Sequence, residues 1–156
     1  MTFRGLHEHS LDSKDRITVP SQYRGALSEG LVLMQGIEKC VEVWPAAAAE
    51  AMEAGTLSGL NPLSREARRI KRSFFAHSAS ADLDSAGRIK LPTSHIEHAG
   101  LSGRCVITGM GPNLEIWNPE AWATEDQENA EQIPALTENL AERQMAQQAP
   151  VPGTPS

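Results

Sequence analysis

A stretch of ten residues occurs twice in this chain, and that duplication limits the available folds more than any other part of the sequence. Leu11-Asp-Ser-Lys-Asp-Arg-Ile-Thr-Val-Pro20 returns 72 positions on as Leu83-Asp-Ser-Ala-Gly-Arg-Ile-Lys-Leu-Pro92, with six of the ten residues unchanged. The echo continues after a slip of one residue. Gly30-Leu-Val-Leu-Met-Gln-Gly36 aligns with Gly103-Arg-Cys-Val-Ile-Thr-Gly109, and Val41-Glu-Val-Trp44 with Leu114-Glu-Ile-Trp117. A unit of about 40 residues is too short to bury a good core alone. The two copies are therefore expected to pack on each other as a pseudo-dimer.

Within each copy the hydrophobic pattern predicts strand, turn, strand, short helix, strand, turn, strand and helix. In the first copy, Leu6 to Leu11 and Arg16 to Val19 are short runs bridged by the polar cluster Asp-Ser-Lys-Asp. Pro20 suits the first turn of a helix over Ser21 to Leu27, and Leu31 to Met34 and Val41 to Trp44 form the next strands. Pro45 introduces a helix over Ala46 to Ala54 that Gly55 should close. Asn118-Pro119 introduces another over Glu120 to Asp126. Between the copies, the run from Asn61 to Phe75 reads as an amphipathic helix. Leu63, Ala67, Ile70 and Phe74 recur at helical spacing, and Arg65, Arg68, Arg69 and Arg72 fall mostly elsewhere.

The domain organisation that follows is a first repeat over 1–54, a basic connecting region over 55–77, a second repeat over 78–126 and an acidic, Pro-rich tail over 127–156. The tail holds Glu128, Glu131, Glu138 and Glu142 against Arg143, half of the net charge of −6. Its composition predicts flexibility, with a transient helix over Leu136 to Gln147 and disorder over the last ten residues. No run approaches the roughly 18 apolar residues of a membrane span, and the first residues lack the apolar core of a secretory signal, so a cytoplasmic protein is expected. Cys40 and Cys105 are not spaced as a redox or metal pair and are expected to be small apolar strand residues.

The repeated Leu-Asp-x-x-x-Arg-Ile carries the chemistry. An Asp opening a tight turn can accept hydrogen bonds from backbone N–H groups a few residues on, which holds the turn rigid and projects the Arg at its exit from a fixed base. Asp12 and Asp84 are thus turn-structuring candidates. Arg16 and Arg88, with Lys14 beside the first, are suited to phosphate contact or to bidentate recognition of guanine in a major groove. The plainer alternative is that Asp12 pairs with Arg16, and Asp84 with Arg88, merely to stabilise a hairpin. Enzyme chemistry finds no support: no nucleophile elbow, Walker loop or dinucleotide fingerprint is present. His7 and His9 share a strand face but have no third residue at ligand spacing. No catalytic residue, cofactor, metal or small-molecule substrate is expected. Trp44 and Trp117, at equivalent repeat positions, are expected as core or interface anchors.

These residues resemble the MraZ family of transcriptional regulators over about residues 3 to 122. The resemblance rests on Phe3-Arg-Gly5, both ten-residue motifs, Arg68-Arg69 ahead of Phe74-Phe75, His98-Ala-Gly-Leu101 and Glu115-Ile-Trp117. It implies a strand-rich α/β fold, an internally duplicated AbrB/SpoVT-like swapped-hairpin barrel with short helices. It also implies a repressor-like, nucleoid-associated protein that binds double-stranded DNA at tandem direct repeats upstream of its own gene, in a division and cell-wall gene cluster, and closes into a homo-oligomeric ring. DNA contact then carries over to Arg16 and Lys14, to Arg88 by repeat symmetry, and to Arg4 and Arg24 from basic positions flanking the first loop. Two positions depart from the family pattern: Asp15 stands where Gly is usual, and Ala86 replaces a Lys or polar residue, so the first loop is expected to contribute more.

A net-negative protomer with small cationic loops would bind DNA weakly and with steep salt dependence, which tandem loops on an oligomer would offset by avidity. The basic run over 65–72 is a rival DNA site. The reading favoured for it is a solvated face or pairing across a subunit interface with acids such as Glu42 or Glu115. The alternative from a different class is an antitoxin-like or structural oligomeric scaffold for a protein partner.

Overall fold

The computed structural model describes residues 1–148, 150 and 153. In chain order the elements are β1 (Leu6–Ser10), β2 (Arg16–Thr18), α1 (Ser21–Arg24) running into a 3₁₀ turn at Gly25–Leu27, β3 (Leu31–Gln35) and β4 (Cys40–Pro45). Next come α2 (Ala46–Met52) with a π turn at Glu53–Leu57, α3 (Arg65–Ala76), β5 (Ala79–Ala81), β6 (Arg88–Lys90), α4 (Thr93–Ala99), β7 (Arg104–Gly109), β8 (Leu114–Trp117) and α5 (Pro119–Gln148). The chain divides into two compact units, residues 1–121 and 122–156.

Six strands form one antiparallel sheet in the order β1-β7-β8-β4-β3-β5, and β2 and β6 form a separate two-stranded ribbon. The repeats meet at β4 and β8, where Val41 faces Ile116, Glu42 faces Glu115 and Val43 faces Leu114. Equivalent residues are thus placed symmetrically about the Glu42–Glu115 pair, the mark of a local twofold axis. The outer strands are exchanged: β1 of the first repeat pairs with β7 of the second, and β5 of the second pairs with β3 of the first. Neither repeat completes a sheet from its own strands.

Strand alternation sorts the side chains into two layers. Leu31, Leu33, Val41, Val43, Cys105, Ile107, Leu114 and Ile116 face one side. There they meet Ile17, Val19, Tyr23 and Leu27 of the first repeat and Ile89, Leu91, Ala99 and Leu101 of the second, in a single shared core. On the other side Met34 and Trp44 pack with Ala49 of α2 and, at the margin, Phe74 of α3. Both cysteines are free thiols buried in strands.

Several expectations are revised. β1 and β2 flank a tight turn but do not pair with each other, so the turn is not the tip of a simple hairpin. Gly55 does not close the helix after Pro45, because the chain widens there into a π turn that runs to Leu57. α3 begins after Ser64, whose hydroxyl accepts from the Ala67 amide. Its buried residue is Ala67; Leu63 and Ile70 are 86% and 51% exposed, so the apolar stripe faces inward only in part. The helix after Asn118 does not stop at Asp126 but continues to Gln148 through Pro134, where the sequence predicts a flexible tail with only a transient helix over Leu136 to Gln147. The flanking Ala, Gln and Glu residues are strong helix formers, and one proline removes a single N–H from the run. Apart from Gln147, Gln148, Pro150 and Gly153, the last ten residues lie outside the described residues.

Candidate nucleic-acid interface

The two ten-residue motifs fold into turns that match bond for bond. In the first, one carboxylate oxygen of Asp12 accepts from the Lys14 amide at 2.9 Å and the Arg16 amide at 3.0 Å, and the other accepts from Arg16 Nε at 2.8 Å. In the second, Asp84 accepts from the amides of Ala86 and Arg88 at 2.9 Å each and from Arg88 Nε at 2.8 Å. The backbone closes both turns in the same way, Asp12 N–H donating to Arg16 O and Asp84 N–H to Arg88 O, each at 2.9 Å. The amide bond from Arg16 is the first cause of an Asp12 carboxyl held down at about 2; the amide of Arg88 acts likewise on Asp84. The Asp–Arg pairs use only Nε of each guanidinium. The terminal amino groups of Arg16 and Arg88 make no hydrogen bond among the described residues and remain free to fork onto an external acceptor.

Both turns need a left-handed residue at their fourth position, met by Asp15 at φ 59° and Gly87 at φ 75°. These residues also tie each turn to the other repeat. Leu91 N–H donates to Asp15 O and Val19 N–H donates to Gly87 O, both at 2.9 Å. The turns therefore extend the two ends of one ribbon.

In the ribbon Arg16 faces Lys90, Ile17 faces Ile89 and Thr18 faces Arg88. Because side chains alternate along a strand, Ile17 and Ile89 point into the shared core, where neither has any exposed surface. Arg16, Thr18, Arg88 and Lys90 consequently share the opposite face, half-buried or exposed. Lys14 adds an exposed cation at the Arg16 end. The result is a narrow antiparallel ribbon, apolar inward and cationic outward.

The candidates are not all brought to this face as the sequence suggested. Arg24 flanks the first turn in sequence but lies against the second. Its Nε donates to Val19 O at 3.0 Å, and its guanidinium occupies the space a side chain on Gly87 would need. Arg4 is fixed through its backbone beside β1, where Tyr23 Oη donates to its carbonyl and Gly109 packs against it, and not on the ribbon. Lys90 and Thr18 were not among the candidates. The alternation Arg88-Ile89-Lys90 signals that Arg88 and Lys90 share a face, but only the pairing of β2 with β6 places Lys90 opposite Arg16.

The remaining charged features are as follows. Arg68 Nη1 donates to Pro62 O at 3.0 Å, and the α3 arginines form no salt bridge among the described residues. Glu42 and Glu115 face each other across the repeat junction and are held by indole N–H donors, Trp44 to Glu42 at 2.9 Å and Trp117 to Glu115 at 3.2 Å. Burial, more than the neighbouring Glu115, pushes the Glu42 carboxyl up. Trp44 and Trp117 are buried. His7 shares a hydrogen bond with Tyr23 Oη at 3.2 Å, and among the described residues no group of three or more His, Cys, Asp or Glu could hold a metal ion. No described helix is long and apolar enough to cross a membrane.

A duplicated, strand-rich α/β chain with paired Asp-anchored arginine turns defines a class, and sequence comparison gives the family. The chain matches the family model described as "MraZ protein, putative antitoxin-like" twice, over residues 2–72 and 74–144. It is 36% identical over 136 residues to a protein of Symbiobacterium thermophilum, covering 87% of this chain and 98% of that protein. It is 34% identical to proteins of Herpetosiphon aurantiacus, over 89% of this chain and 96% of the relative, and of Lactiplantibacillus plantarum, over 88% and 97%. All three are named Transcriptional regulator MraZ. The chain belongs to the MraZ family.

Proposed function

We propose that this protein is a sequence-specific DNA-binding transcriptional regulator, a repressor, and that the β2–β6 ribbon is its reading element. The observation that carries this reading is the outward face of the ribbon, where Arg16, Arg88, Lys90 and Lys14 stand on a backbone fixed by Asp12 and Asp84. A two-stranded ribbon fits the major groove of B-DNA, and arginine forks suit guanine O6 and N7 as well as phosphate. Arg24 reaches the second turn and completes the cationic surface there; Arg4 serves as an outlying phosphate contact. No metal, cofactor or small-molecule substrate enters this reading, and nothing in it requires catalysis.

The duplicated chain takes the AbrB-like swapped-hairpin form in this reading, which the exchange of β1 and β5 between repeats supports. The targets are tandem direct repeats upstream of the chain's own gene, in a division and cell-wall cluster, bound at the nucleoid in the cytoplasm. A net charge of −6 and so few loop cations make one protomer a weak binder. A homo-oligomeric ring presenting several ribbons to several repeats raises avidity by roughly 10² to 10⁴. The exposed arginines of α3 are available for pairing between protomers, but not with Glu42 and Glu115, the acids the sequence suggested: Glu115 is buried at the repeat junction and Glu42 is held there by the Trp44 indole.

The test is fluorescence anisotropy with the upstream duplex and a scrambled one, at two salt concentrations, for the natural protein and the Arg16→Ala/Arg88→Ala double variant. Binding should prefer the natural duplex, and the variant should lose roughly 2 to 6 kcal/mol while keeping its oligomeric state. Equal weak binding to both duplexes, unchanged in the variant, would overturn the reading. It would favour instead an antitoxin-like or structural scaffold that holds a protein partner.

A further inference from the structure

The ribbon is symmetric in backbone and asymmetric in chemistry. The twofold relation makes Arg16 equivalent to Arg88, Thr18 to Lys90, Lys14 to Ala86, Asp15 to Gly87 and Arg24 to Ile96. Only the arginine pair is conserved between the copies. Because β2 and β6 run antiparallel, the differences do not average out along the ribbon; they accumulate at its ends. One end carries Arg16 with Lys90 directly opposite and Lys14 beside it. The other carries Arg88 with Thr18 directly opposite and Arg24 laid over Gly87.

Resting on the DNA-binding reading above, whose direct repeats already call for a unit without twofold symmetry, we infer that Lys90 and Thr18 are the residues that make the two ends of the ribbon recognise different bases. A twofold backbone with equal ends would select an inverted repeat. Lysine is a compact, mobile point charge that favours guanine acceptors or phosphate, whereas a threonine beside an arginine fork offers a methyl to thymine and a hydroxyl to either base. The ends present those two different sets within one groove. Arg24 is the second end's substitute for the lysine that Ala86 lacks; its Nε is committed to Val19 O and its terminal amino groups make no hydrogen bond among the described residues. Each protomer therefore lies on its site in one orientation, and its recognition element has no twofold symmetry.

Selection from a library of randomised duplexes tests this, using the full chain and two variants that equalise the ribbon face, Lys90→Thr and Thr18→Lys. Lys90 is exposed, so its replacement leaves the core intact; circular dichroism and thermal melting check both variants. The natural protein should enrich a unit without twofold symmetry. Lys90→Thr should lose roughly tenfold in affinity for that unit. Both variants should shift enrichment toward an inverted repeat. Two folded variants that keep the natural unit and affinity would overturn the inference and leave the proposed function standing, whereas an inverted repeat enriched by the natural protein would overturn the inference and the direct-repeat target while leaving DNA binding itself intact. No enrichment of any duplex by the natural protein would overturn both.

Discussion

Asp15 and Gly87 occupy the same place in the two turns, and each chain copy meets the same left-handed backbone requirement with a different residue. For an ordinary L-residue the conformation costs about 1–2 kcal/mol, and Asp is among the few that tolerate it. Asp15→Gly relieves that cost but adds entropy to the unfolded chain, so stability measured by urea unfolding should change by less than about 1 kcal/mol. It also removes a negative charge beside Arg16 and Lys14. On the proposed function, affinity for the upstream duplex at low salt should rise about fivefold, the worth of one charge at close range in water. Gly87→Ala should behave in the opposite sense. It loses about 1–2 kcal/mol of stability to the backbone and displaces the Arg24 guanidinium, so binding weakens as well. Improved binding in the Gly87 variant would contradict the placement of Arg24.

The elements of this chain differ in what holds them. The β2–β6 ribbon has three residues per strand and would be marginal alone. It persists because Ile17, Val19, Ile89 and Leu91 are buried in the shared core, which also fixes the height at which its arginines stand. α5 is the contrary case: 30 residues with none buried, interrupted by Pro134. Around Pro134 every described side chain is exposed, so helicity there rests on local propensity, and a proline inside a helix costs about 3 kcal/mol relative to alanine. Pro134→Ala should therefore raise the helical ellipticity at 222 nm while leaving the unfolding midpoint of the sheet unchanged. A shifted midpoint would mean that α5 contributes to the core.

At the scale of the whole molecule, the junction of the repeats combines apolar burial with a destabilising pair. Val41, Val43, Leu114 and Ile116 close one side of the β4–β8 ladder, while on the other Glu42 directly opposes Glu115, which is 8% exposed. Directly opposed like charges cost roughly 0.2–1 kcal/mol. Burial first, and Glu115 next, raise the Glu42 carboxyl above its ordinary value of 4.5. A carboxyl whose folded value is raised is penalised once pH rises past the unfolded value, and the penalty becomes complete above the folded one. Glu42→Gln keeps an acceptor for the Trp44 indole and removes the charge. It should stabilise the protein by up to about 1 kcal/mol at neutral pH, with the gain fading as pH falls through the raised folded value and absent below about 4. Chemical denaturation at both pH values measures this. A destabilised variant at pH 7 would show that Glu42 serves as an acceptor for more than the indole.

The sequence by itself determined the duplication, the strands, the tight turns and the arginines at their exits, because each is encoded locally. Alternation marks strands, proline and polar clusters mark turns, and an Asp four residues before an Arg can satisfy both backbone and guanidinium within one turn. It also determined that the two copies would share a core, since neither is long enough to build one. Only the tertiary structure decided which strand pairs with which. Hydrogen-bonding groups on a strand edge are the same whichever partner they meet, so the exchange of β1 and β5 and the pairing of β2 with β6 leave no local signature. Those non-local pairings put Lys90 beside Arg16 and Arg24 over the second turn, and they turned two separate motifs into one ribbon with two unlike ends.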